Sequence, residues 1–201
     1  MAVSDVSIAN VALMRLGASQ INTLTDNNER ARVMNSLYEQ LRRSELRKRR
    51  WRFSITRTSL AALSTAPDSD YARQFQLPND YLRLLEGGDL IQVADLTDYR
   101  YFSNALYSVE GGKVLTSLGA PLHIRYIRDV TDTALWDVAF DEYFGCCLAV
   151  AACARITEST AKMADLMAER KTALIGARAA NAMETASEHP TDSEWITARA
   201  W

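Results

Sequence analysis

The chain has 201 residues, of which 48% are hydrophobic and 24% are charged, and its net charge is −2. A chain of this length can bury a substantial core and form one or two domains. The charge balance excludes a protein that is basic overall, so any contact with nucleic acid has to be local.

The first predicted helix begins after Ser4, a favourable N-cap residue, and runs to about Leu16. Gly17 follows directly and is a typical helix stop. Residues 18–25 then form a short connection, in which Ile21 is expected to fold back onto the core.

A second helix is predicted from Asp26 to about Arg49. Asp26 is the expected N-cap, and Glu29 three residues later completes a capping box. At the helical period one side of this segment is an apolar stripe. The stripe consists of Val33, Met34, Leu37, Tyr38 and Leu41. Trp51 returns to the same stripe when the helical wheel is extended.

The end of the second helix carries the densest positive charge in the chain. Its cations are Arg42, Arg43, Arg47, Lys48, Arg49 and Arg50. They lie on both flanks of the apolar stripe, so they surround the helix end instead of forming one flat face. Two interpretations stay open: these residues contact a neighbouring subunit or partner protein, or they contact DNA phosphates.

The middle of the chain has the pattern of a small antiparallel β module. Residues 64–72 are polar and turn-forming and mark a boundary. Glu110-Gly111-Gly112-Lys113 is a strong hairpin signal. Segments predicted as strands lie at 74–77, 106–109, 114–117 and 122–127. Two further short apolar pieces lie at 81–85 and 90–93.

Helices are predicted again after about residue 133. The segment 134–156 is apolar nearly all round, which is typical of a central helix covered on most sides. A long amphipathic helix is predicted over 159–186, and Pro190 prevents its continuation. The remaining segment is polar except for Trp195, Ile196 and Trp201, which either fold back on their own subunit or dock on a partner.

These patterns predict an α+β fold that is mainly α. We expect an antiparallel helical bundle with an inserted small antiparallel β module and an extended C-terminal tail. Residues 1–63 and 131–187 would form the two parts of the bundle. Residues 64–130 would form the β module, and residues 188–201 the C-terminal extension.

No pattern in the chain predicts catalysis or a metal or cofactor site. His123 and His189 lack a neighbouring nucleophile or carboxylate pattern, and the glycine pairs lack a phosphate-binding frame. The cysteines are Cys146, Cys147 and Cys153, which lie in one apolar segment and are expected to be buried, free thiols of a protein made in a reducing cytosol. Neither a signal peptide nor a membrane-spanning run is predicted. The expectation is a protein that is not an enzyme.

Several short motifs occur in an order that resembles one family. They are LMRLGA at 13–18, ERAR at 29–32, WRF at 51–53, LPNDYLR at 77–83, YIRD at 126–129 and LWD at 135–137. Together they resemble bacteriophage head–tail adaptors of the tail tubular protein A type, over about residues 8–186. The positions before Trp51 are more basic here than is usual in that family.

The resemblance implies a structural virion protein, made in the host cytoplasm and located at the head–tail interface. Such adaptors form a ring, typically of twelve subunits, between the portal protein and the tail or nozzle protein, and DNA passes through the central channel without sequence recognition. Portal contact would fall to Trp195, Ile196 and Trp201, and Trp51 and Phe53 would form the hinge between helices and β module. The alternative is a DNA-binding protein that uses the basic run 42–52.

Overall fold

The structure is a computed structural model, which describes residues 3–85 and 107–184. The described part contains four α-helices and six β-strands, and about half of it is helical. The helices are α1 (Asp5–Leu16), α2 (Glu29–Lys48), α3 (Val138–Ile156) and α4 (Thr160–Met183). The strands are β1 (Ile55–Leu60), β2 (Arg73–Gln76), β3 (Tyr81–Leu85), β4 (Tyr107–Glu110), β5 (Lys113–Thr116) and β6 (Leu122–Arg128). The predicted mixture of helices with antiparallel strands is confirmed.

Helix α1 begins and ends where the sequence predicts. The Ser4 hydroxyl accepts a hydrogen bond from the backbone N–H of Ser7, and the Ser7 hydroxyl accepts one from the backbone N–H of Ser4. Gly17 ends the helix with φ 74°, a left-handed conformation that favours glycine. Ile21 is buried and exchanges two hydrogen bonds with the Asn10 side chain, which holds the connection against the helix.

The predicted cap of helix α2 is wrong. Asn28, not Asp26, is the N-cap, and its side chain accepts from the backbone N–H of Ala31 at 2.8 Å. The Asp26 carboxylate instead accepts hydrogen bonds from the Asn22 backbone and the Thr23 hydroxyl. These bonds lower the pKa of Asp26. The Asp26 carboxylate therefore closes the preceding turn and does not cap the helix.

Helix α3 is the central helix, as its apolar sequence predicts. Asp137 caps it by accepting from the backbone N–H groups of Ala139 and Phe140. The helix contacts α1, α2 and α4, and most of its side chains are buried. It begins later than predicted, because Thr133–Leu135 forms a separate 3-10 turn before the cap.

The strands form two antiparallel sheets of three strands each, in the orders β1-β6-β3 and β2-β5-β4. The sequence did not predict β1, whose Ile55–Leu60 segment pairs with residues 122–127 of β6. A strand that follows helix α2 directly therefore forms an edge of the first sheet. It lies before residue 64, where the predicted β module was expected to begin.

The predicted β-hairpin is confirmed between β4 and β5. Gly111 and Gly112 occupy the turn with φ 54° and 75°, and Glu110 pairs with Lys113. Both turn positions require a positive φ, which glycine adopts without a steric penalty. The short strands and their register therefore follow from local sequence.

The first sheet lies between two apolar cores. Leu85 and Ile127 belong to the larger core, which contains the buried faces of the helices. Leu122, Ile124 and Tyr126 belong to a smaller core shared with the second sheet. Alternation along β6 sends successive side chains to opposite faces, so one strand supplies both cores.

Two predicted features lie outside the described residues: the apolar segment 90–93 and the tail residues Trp195, Ile196 and Trp201. Among the helices within 3–85 and 107–184, none combines the length and apolar character that crossing a membrane requires.

Candidate functional site at the helix–sheet junction

The chain passes from helix α2 into strand β1 through a cluster of aromatic rings. Trp51 is 1% exposed and packs edge-on against Phe140, with 4.9 Å between ring centroids. Phe53 follows in the 3-10 turn Arg52–Ser54 and lies 5.0 Å from the Phe140 ring. The Trp51 indole N–H donates to the Glu45 carbonyl at 3.3 Å. Both predicted hinge residues therefore pack on α3 at the junction.

Trp136, in the segment that connects β6 to α3, completes this aromatic cluster. Its ring contacts Phe53 at 6.5 Å and Phe144 at 5.3 Å between centroids. Its indole N–H donates to the Val130 carbonyl, just beyond β6, at 3.0 Å. Aromatic pairs of this kind add about 0.5–1.5 kcal/mol each to the area that they bury. The cluster holds α2, α3 and the first sheet in one arrangement.

The basic run at the end of α2 divides into paired and unpaired residues. Arg42 is buried and forms a two-pronged ion pair with Asp129, with Nε–Oδ1 at 3.0 Å and Nη2–Oδ2 at 3.1 Å. Arg43 lies 3.6 Å from the same carboxylate and 3.9 Å from Glu39. Arg47 donates to the backbone carbonyl of Leu82. Three of the predicted site residues therefore have intramolecular partners.

The Glu45 carboxylate forms ion pairs with two more of the predicted cations, Lys48 and Arg49. Its side chain is 5% exposed and accepts from Lys48 at 2.7 Å, Arg49 at 2.9 Å and the Tyr143 hydroxyl at 2.7 Å. Burial opposes ionisation of the Glu45 carboxyl, but the hydrogen bonds from Lys48 and Tyr143, together with the charges of Lys48 and Arg49, hold its pKa below the ordinary value. The charge of Lys48 and Arg49 is therefore partly balanced inside the subunit.

Arg50 is the member of the predicted set whose side chain has no partner among the described residues. Its backbone carbonyl accepts from the Asn181 amide at 3.2 Å, and the Asn181 carbonyl oxygen accepts from the Arg52 backbone N–H at 2.7 Å. Asn181 thus fastens the end of α4 to the segment that leaves α2. This contact leaves the guanidinium groups of Arg50 and Arg52 exposed.

A cleft of about 570 Å³ opens beside this contact. Its described lining carries several cations and no carboxylate. The lining residues are Lys48, Arg49, Arg50, Trp51, Arg83, Arg178 and Asn181. Arg83 comes from β3 and Arg178 from α4, and neither side chain has a partner within the described chain.

A second depression of about 380 Å³ lies on the sheet side of the same segment. Arg52, Arg57 and Arg125 line it together with Ile55 and Thr56. Arg57 and Arg125 are directly opposite each other in the β1–β6 register. Like charges directly opposite in a sheet are destabilising. The Nε atom of Arg125 is also buried and has no hydrogen-bond partner among the described residues.

We name the six unpaired arginines of the two depressions the junction arginine surface. It consists of Arg50, Arg52, Arg57, Arg83, Arg125 and Arg178. Among these, the sequence analysis predicted such a role for Arg50 and, as part of the basic run 42–52, for Arg52. Arg57 and Arg125 are separated by more than sixty positions in the chain, and only the antiparallel register places them together. The sequence signal for these two residues is that arginines outnumber acidic residues in strands β1 and β6.

Other candidate chemistry is sparse in the described residues. Within 3–85 and 107–184 no group of three or more potential ligands could hold a metal ion. The thiols of Cys146, Cys147 and Cys153 are free and buried, as predicted. Burial raises the pKa of Cys147 to about 11, which leaves this thiol protonated and unreactive at neutral pH.

No protein-family model matches the chain, and no curated protein matches it significantly. The sequence motifs and the junction geometry are therefore the basis for a functional proposal.

Proposed function

We propose that the protein is a structural virion component: a head–tail adaptor that forms a ring between the portal and the tail or nozzle. The ring leaves a channel through which DNA passes without sequence recognition. The fold proposed with this function is an antiparallel helical bundle with an inserted β module and an extended C-terminal tail. The mechanism is geometric and requires no catalytic residue.

The observation that carries this proposal is the convergence of the resembling motifs at one junction. Trp51 and Phe53 of the WRF motif pack in the cluster that contains Trp136 of the LWD motif. Asp129 of the YIRD motif donates its backbone N–H to the carbonyl of Asp80, in the LPNDYLR motif, at 2.7 Å. Motifs far apart in sequence thus share one structural task. That is what a family fold would require of them, and it supports the resemblance.

The packing of α4 supports ring formation. Among the described elements α4 packs chiefly on α3, and only Leu166 and Ala177 of its side chains are buried. Met167 is 47% exposed and Ile175 is 62% exposed. Large apolar side chains exposed on a helix favour contact with another protein. We assign subunit contact to the helical faces, portal attachment to Trp195, Ile196 and Trp201, and contact with the tail protein to the β module.

The free DNA-binding protein that uses residues 42–52 has less support. Arg42, Arg47 and Arg49 have partners within the subunit. A helix that binds DNA on its own would instead present these cations to solvent.

Electron microscopy of the protein mixed with its cognate portal tests the proposal. We expect a symmetric ring on the portal vertex, and an absence of any complex at micromolar concentrations would contradict the adaptor function. Replacing Met167 and Ile175 by Asp should prevent ring closure while the subunit stays folded. Leu63→Asp, at an exposed apolar position in the loop after β1, is the matched control and should leave the ring intact.

The tail has its own test. The triple substitution Trp195→Ala, Ile196→Ala and Trp201→Ala, or deletion of 188–201, should abolish portal binding without changing thermal unfolding. A control with three polar positions of the same segment replaced by alanine should keep binding; these positions are Thr191, Ser193 and Thr197. Unchanged portal binding by the aromatic variant would refute the tail assignment.

A further inference from the structure

We propose that the junction arginine surface binds the phosphate backbone of duplex DNA without reading bases. The residues that do this are not the paired cations between Arg42 and Arg49. They are the six arginines that the fold gathers from the α2 exit, β1, β3, β6 and α4. The inference does not depend on ring formation, because one subunit carries the whole surface.

The junction arginine surface lacks acidic partners among the described residues. Several cations elsewhere in the described chain are paired, among them Arg42 with Asp129, Lys48 with Glu45 and Arg155 with Glu29. The junction arginine surface has no ion pair among the described residues, and no carboxylate is found in the described lining of either depression. A phosphate group would supply the counter-charge that the described residues lack.

The pairing of β1 with β6 places two arginines where their like charges repel each other. Arg57 and Arg125 face each other across β1 and β6, where an opposite-charge pair would stabilise and a like-charge pair does not. The buried Nε atom of Arg125 lacks an acceptor in the described structure. A phosphate oxygen between the two guanidinium groups would relieve both penalties, since arginine binds phosphate through paired N–H donors.

The lining of the two depressions distinguishes nucleic acid from an acidic protein partner. Protein interfaces have an apolar centre with aromatic or aliphatic anchors. The large exposed apolar side chains of the described chain, such as Met14, Val138 and Ile175, do not line either depression. Interfaces with DNA are more polar and more positively charged. A surface made mainly of arginines, whose apolar lining residues are the buried Trp51 and the half-buried Ile55, fits DNA.

The same lining distinguishes duplex from single-stranded DNA. Sites for single strands stack bases on exposed aromatic rings. Trp51 is the aromatic residue in the described lining, and it is 1% exposed. Reading bases would need a helix or ribbon that enters a groove, whereas these arginines line shallow depressions. Backbone contact to a duplex is the interaction that the surface provides.

The test is fluorescence anisotropy of the full chain with labelled 20-base-pair duplexes of two unrelated sequences. We expect equal affinity for both, with a Kd of about 1–100 µM near physiological salt. The affinity should fall steeply with salt. Replacing Arg57 and Arg125 by Gln should weaken binding by about tenfold per arginine at 0.1 M salt and reduce the log–log salt slope by about 2.

Two further variants make the result specific. Arg32→Gln with Arg155→Gln removes the same net charge near the N-terminal end of α2 and should change affinity by less than about threefold. Arg57→Lys with Arg125→Lys should bind more weakly than the parent but more tightly than the Gln variant, because lysine keeps the charge and lacks the paired N–H donors of arginine. Circular dichroism spectra and thermal unfolding establish that each variant is folded.

Several outcomes would overturn the proposal. Equal losses in the Gln variant and its control would show only a general charge effect. Tighter binding to a single strand of the same length would assign the surface to single-stranded DNA, and tighter binding to polyglutamate would assign it to an acidic protein. A portal complex that forms normally with the Gln variant would leave the adaptor function intact, so the two proposals fail separately.

Discussion

Arg42 and Asp129, 87 positions apart in the chain, form an ion pair that fastens helix α2 to the end of strand β6. The Arg42 side chain is 9% exposed and that of Asp129 is 15% exposed. The pair gives the first residue of the basic run a structural role in the subunit. It also leads to a stability prediction with a neighbouring control.

Replacing Arg42 by Ala should lower the free energy of unfolding by about 3–5 kcal/mol, because it leaves the Asp129 carboxylate partly buried without its main partner. Arg43→Ala is the matched control, since that side chain is 53% exposed and its contacts are longer. Its cost should be about 0–1 kcal/mol. Urea denaturation measures both, and similar losses in the two variants would contradict the structural role of the buried pair.

Trp51 should be the most sensitive residue of the aromatic cluster. Trp51→Ala removes a ring that is 1% exposed and should cost about 3–5 kcal/mol, whereas Trp51→Phe should cost less because much of the volume is retained. Val138→Ala removes a side chain that is 80% exposed and should change stability by less than about 0.5 kcal/mol. A Trp51→Ala protein as stable as the parent would show that the junction does not depend on this ring.

Glu45 should make stability depend on pH in the acid range. Its folded-state pKa is lower than its ordinary value of 4.5, so its ionised form stabilises the fold. The stabilisation is fully present above pH 4.5 and is lost as the pH falls through the lower folded-state pKa. The stability difference between the parent and Glu45→Gln should therefore be large at pH 7 and shrink in acid. Denaturation at several pH values measures it, and a constant difference would contradict the linkage.

Asp141 should act in the opposite sense. Burial, together with the nearby Asp137 charge, raises the pKa of Asp141 from 3.8 to about 6, and its Oδ1 atom is buried without a partner among the described residues. Ionisation therefore destabilises the fold as the pH rises from 3.8 through about 6. Asp141→Asn should be more stable than the parent at pH 8, with a smaller gain at pH 4. An equal gain at both pH values, measured by thermal unfolding, would point to a cause other than titration.

The sequence by itself determined the features that depend on neighbouring residues. Ser4 and Gly17 mark the two ends of α1, because capping is a local interaction. Gly111-Gly112 sets the hairpin, because its turn needs a positive φ at both positions. The apolar content of the α3 segment predicted a central helix, since such a helix has no polar face for solvent. The N-cap of α2 was missed because Asp26 and Asn28 are both good caps, and the turn before the helix decided between them.

Only the tertiary structure decided which charged side chains form ion pairs within the protein. Helical periodicity placed Arg42 on a flank of α2, but Asp129 makes its burial favourable. Strand β1 was not predicted because its ITRTSL sequence has few apolar residues, and pairing with β6 stabilises it. Arg57 meets Arg125 only through that pairing. Ion pairs and strand register join residues distant in the chain, so no local pattern could show which arginines are paired and which have no partner among the described residues.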